Sequence, residues 1–165
     1  MSSLFAFLHH FAAFALVSAL AVESALAKDE LTLNAARSLL RADLVFGLSA
    51  GFIIAVGVLR VLYFEKGSDY YLHSVPFIAK MSLFVIVGLL SIYPTREFLS
   101  WRKSLREGML PVVPGARIQR IQSIIRLELG CIVLIILCAV LMARGVGHVA
   151  ATASTASRLV GVGWM

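Results

Sequence analysis

The chain has 165 residues, of which 60% are hydrophobic and only 15% charged, with a formal net charge of +6. One small soluble core cannot take up that much apolar side chain, so a bilayer must hold the surplus. The basic balance gives no ground for a nucleic-acid partner, because Lys and Arg are spread through connectors beside apolar blocks and no recognition motif accompanies them.

Four apolar blocks, at about residues 4–27, 43–63, 76–93 and 121–143, are separated by the dense clusters of charge. Each reaches roughly 18 residues or more, which at 1.5 Å per residue approaches the hydrocarbon thickness of roughly 30 Å. Ile, Val and Phe favour strands in water, but an open strand in lipid leaves its amides unpaired, and no alternating barrel pattern is present. The predicted fold class is therefore all-α, an integral membrane four-helix bundle. It forms one transmembrane domain over residues 4–143, with a loosely ordered tail of Ala, Ser, Thr and Gly over 144–165.

In the first block, Ser24-Ala25-Leu26-Ala27 resembles a signal-peptide cleavage site. The start carries no Lys or Arg and the apolar stretch is long, so a retained span is expected, with Glu23 as an interhelical partner. Thr32 or Asn34 is placed to cap a short helix through Leu39 and Leu40 that feeds the second span. Along that span Asp43, Gly47, Gly51 and Ala55 recur every fourth residue and line one face, which lets backbones approach closely. Packing within one bundle is the simpler expectation, and a homo-oligomer or a membrane partner docked through Gly47 and Gly51 is the other.

Ser74 and Pro76 read as the start of the third helix, and Pro94 falls where that helix leaves the membrane. The amphipathic stretch from Glu97 to Arg106 then continues after a kink or along the surface. Pro111, Pro114 and Gly115 make a tight connection to the fourth span. Within that span, Cys131 and Cys138 lie seven residues apart, about 10 Å of helical rise, too far for a mutual disulfide.

Orientation follows from Lys and Arg in the connectors. Lys28, Arg37 and Arg41 flank the first connection, and Arg96, Arg102, Lys103, Arg106, Arg117 and Arg120 the third, whereas the middle one holds only Lys66. Both termini are expected outside a bacterial inner membrane, with the arginine-rich connectors inside against anionic headgroups.

Ionisable residues within the spans are the places to look for function, since each costs a few kcal/mol unless paired or wet. An inner layer holds Glu23, Asp43, Arg126 and Glu128. An Arg126 ion pair with Glu23 or Asp43 is the expected structural lock, and a proton path through the carboxylates is the alternative. An outer layer holds His9, His10, Arg60 and Lys80, with Tyr63, Tyr70, Tyr71 and His73 nearby, and has no carboxylate in the spans to balance it. A haem, of the b type, fits that chemistry, with an imidazole of His10 or His9 on iron and Arg60 and Lys80 toward the propionates. The bland alternative is that the histidines bond water or headgroups while the cations snorkel outward. Copper on the histidine pair ranks lower, because Met and Cys do not cluster with it.

The segments Phe7-Leu8-His9-His10-Phe11-Ala12-Ala13-Phe14, Leu39-Leu40-Arg41-Ala42-Asp43, the Tyr-Phe-Glu-Lys-Gly core within residues 60–71, and Phe77-Ile78-Ala79-Lys80-Met81-Ser82-Leu83-Phe84 carry a resemblance. Over about residues 4–143 they look like bacterial predicted membrane proteins catalogued as a domain of unknown function, which implies a four-helix architecture and brings no activity. The first-helix histidine and the third-helix Lys followed by a Leu-Phe run also resemble, more distantly, copper-resistance D-type membrane proteins and the four-helix bacterial protoporphyrinogen oxidase. That resemblance implies His10 as iron ligand, with His9 in competition, and Lys80 as the third-helix basic residue. It offers no counterpart for Arg60 and no second axial ligand. No phosphate loop, zinc-spacing motif or nucleophile elbow is present in the connectors. Two classes of function follow: a haem-binding membrane redox protein, or a non-enzymatic assembly, scaffold or transporter-accessory subunit.

Overall fold

The computed structural model describes residues 2–27, 31–63 and 75–144. Its elements are α1 (Ser2–Leu26), α2 (Leu33–Tyr63), α3 (Val75–Ser100), the short α4 (Arg102–Arg106) and α5 (Gly115–Ala143), with no strand among the described residues. The four long helices each contain a stretch long and apolar enough to cross a bilayer, at Leu4–Leu26, Leu33–Leu59, Val75–Ser100 and Gly115–Ala143. At most 22% of any of these apolar windows is buried within the chain. Phe7, Phe11, Phe14, Leu48, Leu89 and Val133 all stand exposed. So much outward-facing hydrocarbon is stable only against lipid, and the fold is an all-α membrane bundle.

The bundle is built from two helix pairs, α1 on α2 and α3 on α5, which meet each other over smaller contacts. A short connection forces α1 and α2 into an antiparallel hairpin. Thr32 caps α2, its Oγ1 accepting the Ala35 N–H at 3.2 Å. The helix then runs unbroken into the span, so the expected short helix through Leu39 and Leu40 is the first part of α2 itself.

Pro94 does not end α3. The helix continues to Ser100, with Pro94 and Phe98 buried. A proline inside a helix removes one backbone hydrogen bond, and here the burial of the following turn holds the helix together. Trp101 then turns the chain into α4, packing its ring at 5.0 Å from that of Phe98 in an edge-on arrangement. Phe98, Trp101 and Leu105 join Ala27, Ala36, Leu39, Ile118, Ile121 and Ile125 in one buried cluster at this end of the bundle. Arg37 ties α2 to the far side of α4 by donating from Nη2 to the Leu105 carbonyl at 3.4 Å. Gly108, at φ +73°, takes a left-handed turn after α4 that a side chain would strain. Pro114 caps α5, which begins at Gly115, six residues before the apolar block.

Among the described residues, the small-residue face of α2 is not a packing seam. Gly47, Gly51 and Ala55 are exposed, and a Cβ added at Gly47 or Gly51 would meet nothing within 4 Å. The buried stripe of α2 runs instead through Ala36, Leu39, Asp43, Phe46, Ser49 and Val56. Asp43 shares a flank with the glycines but sits nearer the core. Cys131 is buried, Cys138 half-buried, and both are free thiols.

Candidate functional site

Each long helix buries residues at intervals of three and four, the stripe that faces the other helices. On α1 the stripe reads Leu16, Leu20, Glu23, Ala27, and on α5 Ile118, Ile121, Ile125, Glu128, Ile132. Asp43 holds the corresponding place on α2. Three carboxylates on three helices are thereby turned toward one another, with exposures of 2% for Glu23, 7% for Asp43 and 1% for Glu128. Glu23 lies within electrostatic reach of both Asp43 and Glu128, and Glu128 within reach of Asp43.

The fourth long helix supplies a hydroxyl. Thr95 of α3 donates from Oγ1 to Asp43 Oδ1 at 2.6 Å, joining the two helix pairs. Close by, Gln122 of α5 donates from Nε2 to the Ala27 carbonyl at 2.6 Å, satisfying a backbone acceptor left over at the end of α1. Glu23 Oε1 and Glu128 Oε1 are both buried and, among the described residues, meet no hydrogen-bond partner. Buried polar atoms without partners are uncommon and require an explanation.

Arg126 does not supply it. One residue along from the buried Ile125, it is rotated about 100° off the stripe and is exposed. Among the described residues it forms no salt bridge with Glu23, Asp43 or Glu128. The ion pair expected to lock the bundle is replaced by an acid cluster hydrogen-bonded to Thr95. Arg117 pairs with Glu97 instead, at 3.4 Å on the surface, and Arg120 lies 5.5 Å over the Tyr93 ring.

The outer layer is distributed differently. On α1, His9 precedes the buried Ala12 by three residues and is half-buried, whereas His10 is exposed on the neighbouring face. The His10 Nδ1 lies 2.6 Å from the Ala6 carbonyl, an acceptor, so Nδ1 carries the proton and Nε2 is the basic nitrogen. The two rings meet edge-on at 6.0 Å. Lys80 is half-buried on α3, with Nζ 5.9 Å from the Phe77 ring centre. The Arg60 side chain, Lys28, Lys66, Tyr70, Tyr71, His73 and Ser74 lie outside the described residues, as do the Tyr63 side chain and the tail from residue 145 onward. Among the described residues no three His, Cys, Asp or Glu side chains come together in a way that could hold a metal ion.

Sequence reasoning overlooked Thr95 and Gln122. Each sits beside a stripe position on its helix, Thr95 next to Pro94 and Gln122 next to Ile121, but so does the exposed Arg126 next to Ile125, so no sequence signal singles them out.

No curated protein and no solved structure matches the chain. The model of a family described as "Predicted membrane protein (DUF2214)" matches residues 1–147, nearly all of the sequence and all four spans. The chain belongs to that membrane-protein family.

Proposed function

We propose that the protein is a non-enzymatic membrane component whose bundle takes up and releases a proton at the Glu23, Asp43 and Glu128 cluster. The observation that supports this reading is the convergence of three carboxylates from α1, α2 and α5, with two buried oxygens that meet no hydrogen-bond partner among the described residues. Three negative charges confined in a low-dielectric interior, with no cation paired to them among the described residues, are prohibitive, so at least one must be neutralised. A proton on one carboxyl turns an acceptor into a donor and gives a neighbouring oxygen its missing partner. The cluster lies where the two helix pairs join, so its proton content bears directly on how they dock. On the same reading the Arg-rich connectors face the cytoplasm of a bacterial cell and both termini face outward.

Infrared difference spectroscopy of the protein in liposomes tests the proposal. The wild type is expected to show the carbonyl stretch of a protonated carboxylic acid at neutral pH, shifted in heavy water and diminished in Glu128→Gln. A spectrum in which every carboxyl is ionised would overturn it.

A second reading is favoured by one contact. The Ala6 carbonyl fixes the His10 tautomer and leaves Nε2 for a metal, the orientation seen in imidazoles that ligate iron. A haem there would lie on the outside of α1, since the ring is exposed; the interior site anticipated for a bundle cofactor does not fit it. Haem supplies one-electron redox chemistry when bound, and His10 would hold its iron. The check is a Soret band in protein purified after expression with ample haem, lost in His10→Ala.

A further inference from the structure

The basic connector between α3 and α5 carries a second site, independent of the acid cluster. Trp101 and Leu105 are buried and pin α4 to the end of the bundle. Helical geometry then turns Arg102, Lys103 and Arg106 to the opposite side, where all three are exposed. With Leu99, Ser100 and Glu107 they line one open surface cavity of about 400 Å³. Three cations line it against a single carboxylate, while the Ser100 hydroxyl donates to the Glu97 carbonyl at 2.6 Å, so the cavity favours an anion with several oxygens.

The adjoining chain identifies where that anion comes from. After the left-handed turn at Gly108, the loop presents Met109 and Leu110 about half exposed and Val112 99% exposed. Apolar side chains so placed, directly beyond the end of a membrane span, are stable when inserted among lipids. Leu99, at the mouth of the cavity, is likewise exposed at the last turn of α3. The geometry points to a membrane phospholipid of net negative charge as the occupant: its phosphate sits among Arg102, Lys103 and Arg106, and its acyl chains lie toward Leu99 and the Met109–Val112 loop.

Wild-type protein and the R102Q/K103Q/R106Q variant are reconstituted in nanodiscs containing phosphatidylcholine and phosphatidylglycerol, and the retained lipid is read by native mass spectrometry. Wild type is expected to keep phosphatidylglycerol in preference to phosphatidylcholine. At roughly fivefold for each basic residue near an anionic surface, removing three weakens that preference on the order of a hundredfold. R144Q, a basic residue at the far end of α5, is expected to behave as wild type. A second measurement does not depend on the triple variant folding. In a W164F background, brominated phosphatidylglycerol is expected to quench Trp101 fluorescence more than brominated phosphatidylcholine. Equal retention by wild type and the triple variant, equal quenching by the two lipids, or displacement of the retained lipid by inorganic phosphate at millimolar concentration would each overturn the proposal.

Discussion

Arg126 and Glu128 are two residues apart on α5, and about 200° of helical turn separates a lipid- or water-facing cation from a buried acid. This difference sets what substitutions do. Arg126→Gln is expected to change stability by less than about 0.5 kcal/mol, measured by denaturation in mild detergent, because the side chain is exposed and unpaired with the acids. Thr95→Val is expected to cost about 1 kcal/mol, since it strips Asp43 of its hydroxyl donor in a membrane setting where such bonds are worth little more. Glu128→Gln keeps the shape while removing an ionisable group, and is expected to unfold at the same or a higher temperature than wild type. A marked loss of stability in Glu128→Gln would mean that an ionised carboxylate there has a cationic partner. The acids themselves were legible in the sequence as costly residues in the spans. Their partners were not, because pairing depends on rotation about each helix axis, and Arg126 and Glu128 look equivalent until the stripe through Ile121 and Ile125 is fixed.

Elements show the same division between pattern and packing. The apolar block of the third span stops at Tyr93, yet α3 reaches Ser100 through Pro94, because Phe98 and Trp101 are buried against α5 and the end of α1. Phe98→Ala or Trp101→Ala is therefore expected to cost about 3–5 kcal/mol in detergent unfolding, as for other large aromatic deletions from a packed cluster. The exposed glycine face of α2 behaves oppositely. Gly47→Leu places its side chain where none of the described residues lies within 4 Å of the added Cβ, so folding of the monomer is expected to survive. If two copies dock there, cross-linking in membranes is lost in Gly47→Leu; unchanged cross-linking would remove that face from consideration as an interface.

At the scale of the molecule, polar contacts between the helix pairs gather at one end: Thr95 with Asp43, Gln122 with Ala27, and the acids of α1 and α5. The Arg-rich connectors lie at this same end, which the proposed orientation puts on the cytoplasmic side. Orientation is open to direct measurement in a background with Cys131 and Cys138 replaced by Ser. A membrane-impermeant maleimide applied to intact cells is expected to label Arg144→Cys and to label Lys103→Cys only after permeabilisation. The reverse pattern would invert the bundle and place the acid cluster near the outer leaflet.

Four spans, their helical character and the sites of charge along them follow from the sequence by itself, because hydropathy and the demand for satisfied backbone bonds in lipid act locally along the chain. Which ionisable residues face inward was decided only by tertiary structure. Rotation of each helix about its axis is fixed by packing against the others, and this rotation alone brought Glu23, Asp43 and Glu128 together while leaving Arg126 and His10 outside.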